Sequence, residues 1–308
     1  MTMARSVAFV FPGQGSQRIG MLERLPSPDL AAQLLDRAEA VSGLPLTRIA
    51  AEGPAEALAD TRAAQPLLFI ADLVWGRALV DAGVTPAAVA GHSLGEYAAL
   101  AFAGVLDDAA ALSLVCERSR LMSEVASSAG GTMAAVLGMD RTAVIVAVAD
   151  LDGVWVANDN GPGQVVISGT HTGIERAMEA LLAAGARRVL PLDVAGPFHS
   201  PLMAPAADAF SRVLADVSFS DARVPVSQNT DAAPIVDAAR IRARLAGQIV
   251  SPVGWTATLD ALAGQGVEVL AECGPGSVLT GITRRYDGLE GVSAETDGLD
   301  RVVEVVGR

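Results

Sequence analysis

The twelve residues VAGHSLGEYAAL, 89 to 100, limit the fold more than any other stretch of the chain. A short apolar run enters them, G-H-S-L-G makes a turn, and an alanine-rich run leaves. That order reads as strand, tight turn and helix, and G-x-S-x-G at such a junction is a nucleophile elbow. The two glycines permit a strained turn that lifts the Ser93 hydroxyl above the edge of a sheet. The helix that follows directs its free N–H groups at the same point. A chain built around such a turn needs a buried sheet with helices packed on it, which predicts an α/β fold.

The flanking pattern agrees. SVAFVF, residues 6 to 11, is a short continuous apolar run, as expected for a strand covered on both faces, and it ends at PGQGSQ. Residues 29–42 and 55–82 read as helices, the second with a break at Pro66, and 107–128 reads as another. Strands that alternate with helices predict a parallel sheet. Beyond residue 130 the pattern changes to strand, helix, strand, strand, helix, strand. This is the order of a ferredoxin-like unit and marks 131–196 as an inserted small domain. Residues 1–130 and 197–308 then form a large hydrolase-like domain. Within it PFHSPLMAPAADAFSRVLADV is helical, and VEVLAECGPGSVLTGITRR supplies a last strand, a glycine-rich turn and a helix. The 308 residues leave room for both domains.

Charge excludes some partners. The formal net charge is −13, and every basic side chain is Arg, with no Lys. Such a surface disfavours nucleic acid and anionic membrane. No stretch reaches membrane-spanning length without a charge or a breaker, and the apolar run near the N-terminus is too short for a signal peptide. The expectation is a soluble, cytoplasmic monomer. Two cysteines, Cys116 and Cys273, make no disulfide framework, and three histidines without clustered Cys suggest no metal site.

A serine nucleophile needs a base, and only three histidines are available. His92 adjoins Ser93, so its side chain should diverge. His171 lies at a helix start in the small domain, exposed or capping. His199, in AGPFHSPLM, lies where the chain returns to the large domain, and position and elimination both favour it. No orienting carboxylate is evident. Asp193 and Asp208 are near in sequence without a telling context, and a backbone carbonyl could do the orienting instead. An oxyanion hole needs two backbone N–H groups. Leu94 should give one and Gln14, in the loop after the first strand, the other. A dinucleotide reading of that loop is weak, because Arg18 stands where a third glycine is required. Arg118, twenty-five residues beyond Ser93 in a helical stretch, would hold a substrate carboxylate bidentately if it points into the cleft.

Together FVFPGQGSQ, GHSLGEYAAL, the Arg twenty-five residues on, GPFHS, QIVSPVGW and ECGPGSVLTGI resemble the malonyl-CoA:acyl-carrier-protein transacylases and the related acyltransferase domains of polyketide synthases. The resemblance runs over about residues 6 to 286 in the family's order. It implies a hydrolase-like large domain with an inserted ferredoxin-like small one, and a ping-pong reaction without a permanently bound cofactor. Ser93 takes the malonyl group from malonyl-CoA as an ester, and the phosphopantetheine thiol of an acyl carrier protein accepts it. His199 is base and then acid, Arg118 pairs with the malonyl carboxylate, and Gln14 and Leu94 form the oxyanion hole. The main-chain carbonyl of Gln248 orients His199. Phe198 and Leu94 resemble the malonyl-selective pattern, and Asn160 matches a cleft-lining position. One segment departs: MLERLPSP resembles the malonyl transacylase subunit of malonate decarboxylase, whose acceptor is a small carrier subunit. An acyl-carrier hydrolase needs the same Ser93 and His199, whereas a non-catalytic carrier-binding subunit would need neither. Arg187, Arg188, Arg284 and Arg285 are candidate contacts for an acidic carrier.

Overall fold

The computed structural model describes residues 4–307. The chain opens with β1 (Val7–Phe11), α1 (Pro28–Ser42), α2 (Leu46–Glu52), α3 (Ala55–Ala59), α4 (Thr61–Asp81), β2 (Ala88–Gly91), α5 (Gly95–Phe102) and α6 (Asp108–Ala129). It continues with β3 (Gly131–Leu137), α7 (Arg141–Ala147), β4 (Val154–Gly161), β5 (Gln164–Thr170), α8 (His171–Ala183) and β6 (Arg188–Pro191). The rest is α9 (Ala204–Ala215), β7 (Val226–Gln228), β8 (Asp231–Ile235), α10 (Ala238–Ala246), β9 (Val253–Gly254), α11 (Trp255–Gly264), β10 (Val269–Glu272), α12 (Val278–Thr283), β11 (Glu290–Ser293) and α13 (Leu299–Val306).

Among the described residues the strands form two sheets. The first has six strands in the order β11-β10-β1-β2-β7-β8. All neighbours are parallel except β8, which runs antiparallel to β7 at one edge. The sheet is therefore mixed and not purely parallel, because the short connection from Gln228 to Asp231 can only make a hairpin. Every residue of β1 is buried. Val7, Phe9 and Phe11 face one apolar core while Ala8 and Val10 face another, so helices cover both faces.

The second sheet has the order β6-β3-β5-β4-β9. Its first four strands pair antiparallel, in the arrangement of a ferredoxin-like unit, with α7 and α8 packed on a core of their own. The fifth strand comes from elsewhere in the chain. Val253 and Gly254 pair parallel with Asn158 and Asp159. This ties the segment just after Gln248 to the strand that carries Asn160.

Two further expectations fail in detail. The helical stretch 55–82 breaks at Asp60 and not at Pro66: α3 ends, and Asp60 caps α4 by accepting from the Arg62 N–H at 2.8 Å. Pro66 lies inside α4, where it removes one backbone bond at roughly 3 kcal/mol. Burial of nearly the whole helix outweighs that loss. By length and composition α4 could cross a bilayer, but 89% of its most apolar window is buried in the protein. Finally, β10 is not the last strand, since β11 pairs beside it and α13 follows.

Candidate active site

The site forms where the C-terminal ends of β1 and β2 lie side by side, the usual place for a ligand on a parallel sheet. The chain leaves β2 through His92 and Ser93 and enters α5 at Gly95. Ser93 has φ 50° and His199 has φ 57°, and they are the only non-glycine residues with positive φ among the described residues. The flanking glycines are required by space. A Cβ on Gly91 would lie 2.0 Å from the Gly95 carbonyl carbon, and one on Gly95 would lie 2.0 Å from the Phe11 oxygen. Asn229, at the end of β7, holds the turn from beneath. Its Oδ1 accepts from the Ser93 N–H at 2.7 Å, and its Nδ2 donates to the Gly91 carbonyl at 2.6 Å. Buried Glu96 in turn accepts from the Asn229 N–H at 2.9 Å and from Gln228 Nε2 at 3.0 Å.

Ser93 Oγ lies 2.8 Å from His199 Nε2. The other ring nitrogen, Nδ1, donates toward two main-chain oxygens, Gln248 at 3.2 Å and Ser251 at 3.1 Å. These carbonyls fix the tautomer in which Nε2 accepts the serine proton. Neither Asp193 nor Asp208 bonds to His199. Burial, then the positive charge of Arg118, then His92, push the His199 pKa down to about 3. His92 does diverge: its Nε2 lies 2.8 Å from Asn160 Oδ1, and its ring meets Trp255 edge-on at 5.5 Å. His171 is the exposed first residue of α8, which Thr170 caps.

Arg118 projects from α6 and is fully buried. Its Nη1 donates to Gln65 Oε1 at 2.8 Å. Its Nη2 donates to Ser93 Oγ at 3.2 Å and to Gln248 Oε1 at 3.1 Å. The guanidinium stands 5.4 Å over the Tyr97 ring, and Nε has no hydrogen-bond partner among the described residues. Among the described residues no carboxylate lies within ion-pairing distance of it. Arg120, two residues on, shows the ordinary alternative, part-exposed and paired to Glu117 and Glu124.

Ser93 and His199 open on a cleft of about 400 Å³ whose lining also includes Gln14, Asn160 and Phe198, with Met122 and Met133 on the wall. Arg118 lies behind this lining and meets it through Ser93 Oγ. The side chain of Leu94 is buried beneath it. The amides of Gln14 and Leu94 have no protein acceptor among the described residues. The structure thus brings together Ser93, His199, Arg118, Gln14, Leu94, Gln248, Phe198 and Asn160. Sequence reasoning missed Gln65, Asn229, Glu96 and the Ser251 carbonyl. The polar run SQN, which ends β7 and runs one residue past it, was the only trace of Asn229.

An elbow serine, a histidine held by main-chain oxygens and a buried arginine in one cleft define a class of protein: an enzyme that moves acyl groups through a serine. Comparison with known proteins agrees. The acyl transferase domain family matches residues 8–296. A malonyl CoA-acyl carrier protein transacylase of Salmonella typhimurium is 44% identical over 283 residues, which cover 90% of this chain and 92% of that protein. The crystal structure of an acyl carrier protein S-malonyltransferase from Vibrio cholerae superposes with a TM-score of 0.90 at 41% identity, covering 96% of this chain and 99% of that one. A malonyl-transacylase solved in complex with its type II PKS acyl-carrier protein superposes with a TM-score of 0.90 at 39% identity, covering 98% and 99%. The chain belongs to the acyl transferase family, and it is an acyltransferase.

Proposed function

We infer that this acyltransferase moves a malonyl group from coenzyme A to the phosphopantetheine thiol of an acyl carrier protein. One observation carries the choice of malonyl. Arg118 is a fully buried cation 3.2 Å from Ser93 Oγ; buried Glu96 acts on it electrostatically, but among the described residues no carboxylate forms an ion pair with it. A buried charge left unpaired is unfavourable, and a substrate carboxylate pairs it in a bidentate geometry that simple acyl groups lack. An acyl carrier protein as acceptor, and not the carrier subunit of malonate decarboxylase, is supported by the names of relatives matched over nearly their full length.

The chemistry follows from the distances. His199 Nε2, 2.8 Å away, takes the Ser93 proton while Oγ attacks the thioester carbonyl. The oxyanion forms against the unengaged amides of Gln14 and Leu94. The C–S bond breaks, the proton passes from His199 to the coenzyme A sulfur, and the malonyl group remains as an ester. The carrier thiol then runs the sequence in reverse. The Gln248 carbonyl holds the imidazole through both halves, while Phe198 and Asn160 shape the cleft. Residues 1–130 and 197–308 carry the chemistry, and 131–196 form a small domain that closes one wall with Asn160.

The test is Arg118→Ala with two donors. Malonyl transfer should fall by about 2–5 kcal/mol in transition-state stabilisation, the cost of breaking a buried charge pair. Acetyl transfer should fall less or rise. Equal losses for both donors contradict the carboxylate role.

A further inference from the structure

The hydrogen bonds of Arg118 carry a consequence for how the serine is switched on. A guanidinium grips a carboxylate bidentately either end-on, through Nη1 and Nη2, or side-on, through Nε and Nη2. Both modes use an Nη2 hydrogen. Nη2 has two, and both are engaged, one on Ser93 Oγ at 3.2 Å and one on Gln248 Oε1 at 3.1 Å. Nε and one Nη1 hydrogen are the vacant ones, since Gln65 takes only a single Nη1 bond. A carboxylate that enters must therefore displace Ser93 Oγ or Gln248 Oε1. Ser93 Oγ borders the cleft. The Gln248 side chain is buried and tied a second time, through Nε2 to the Ser93 carbonyl at 2.9 Å. The serine bond is the one that yields.

That bond restrains the nucleophile. A cationic N–H on Ser93 Oγ withdraws electron density from the lone pair that must attack. The same positive charge lowers the basicity of His199. Anything anionic on Arg118 relieves both effects. We propose that the carboxylate on Arg118 acts as an activator as well as a handle, so that a small free carboxylate, formate, switches on transfer of a plain acetyl group. Acetyl-CoA and formate together then supply in two pieces what malonyl-CoA supplies in one. The proposal rests on the reading of Arg118 as the carboxylate site. The step balances without formate being consumed. The Ser93 Oγ–acetyl bond forms, the C–S bond breaks, and the serine proton passes through His199 to the coenzyme A sulfur.

The experiment is rapid-quench intact-mass measurement of acylated Ser93 at fixed ionic strength, with sodium formate replacing sodium chloride. With acetyl-CoA, formate should raise the loading rate saturably, by roughly tenfold to a hundredfold, the span of one charge-assisted hydrogen bond. With malonyl-CoA it should slow loading, because both carboxylates compete for Arg118. Opposite signs with two donors in the unaltered protein separate the effect from a general salt response and need no variant. Propionate, which adds an ethyl group to the same carboxylate, should stimulate less than formate. Arg118→Ala and Arg118→Lys should lose the formate dependence. An acetyl rate indifferent to formate, while malonyl loads normally through Arg118, overturns the activation and leaves the malonyl reading standing. A formate effect of the same sign on both donors also overturns it. Failure of malonyl-CoA to load Ser93 removes both.

Discussion

Ser93 and His199 hold backbone conformations that cost of order 1–3 kcal/mol each, and they are the two groups joined by the 2.8 Å hydrogen bond at the elbow. Such strain persists only where neighbours over-determine it. Asn229 does this for the serine, and the Gln248 and Ser251 carbonyls do it for the imidazole. The environment that fixes His199 also keeps it neutral. With its pKa near 3, the base form persists through mildly acidic solution. The acid limb of acyl-enzyme formation should therefore lie well below the ordinary histidine value of about 6.5. Single-turnover rates that stay flat from neutrality to about pH 5 are expected, and a limb centred near 6.5 contradicts the account. Stability follows the same linkage. Below about pH 6.5 the unfolded chain binds a proton at His199 that the folded chain refuses, so stability falls as pH drops from there toward 3. His199→Gln removes that site, and its melting temperature should decline less steeply over the same interval. At this scale the meeting of Ser93, His199 and Arg118 was legible in the sequence, through the elbow, the scarcity of histidine and the family motifs. Gln65, Asn229 and Ser251 were not. Each is a single polar residue whose role exists only because folding places it beside a group far away in the chain.

The elbow is an element-scale device, made by β2, α5, the loop after β1 and the end of β7. Gly95 shows the constraint most simply. Alanine would raise helix propensity there by about 1 kcal/mol, yet its Cβ would fall 2.0 Å from the Phe11 oxygen. Main chain cannot yield as a flexible side chain does, so the clash wins. Gly95→Ala should destabilise by about 3 kcal/mol or more in urea unfolding, with loss of acylation. Asn229→Ala removes two hydrogen bonds from the turn without adding bulk. It should cost about 1–3 kcal/mol of stability and slow malonyl loading, with kcat affected more than KM. Loading at the normal rate would show that the glycines alone set the turn. Long elements were the readable ones. The helices over 29–42 and 107–128, the elbow and the ferredoxin-like order all follow from periodicity and turn residues. The two-residue β9 and the three-residue β7 do not, because strands so short carry no period, and β8 does not because its part-exposed sequence DAAPI holds a proline and no apolar run. Pro66 misled for another reason: a well-buried helix tolerates one missing bond, and the true break went to a residue that could cap.

Across the whole molecule the net charge of −13 opposes an acidic carrier, so docking must rest on local positive potential. Arg187, Arg188, Arg284 and Arg285 are exposed. Arg285 reaches Gln164, a residue of the cleft lining, with Nη1 at 3.0 Å, which sets that pair beside the mouth. Replacing Arg284 and Arg285 together by Ala should raise KM for the carrier several-fold, at about 0.2–1 kcal/mol for each exposed contact. The salt dependence of carrier transfer should weaken in parallel, and an unchanged KM and salt slope contradicts this docking face. The two-sheet plan was legible in the order of elements. The pairing of β9 with β4 was not, although it links the segment that orients His199 to the strand that carries Asn160. All of this converges on one covalent event, best tested by the intact mass of the protein after brief exposure to malonyl-CoA. A single malonyl adduct is expected, which forms in the unaltered chain, discharges to an acyl carrier protein and is absent in Ser93→Ala. An adduct that persists in folded Ser93→Ala, or none at all in the unaltered protein without release of free malonate, would contradict it.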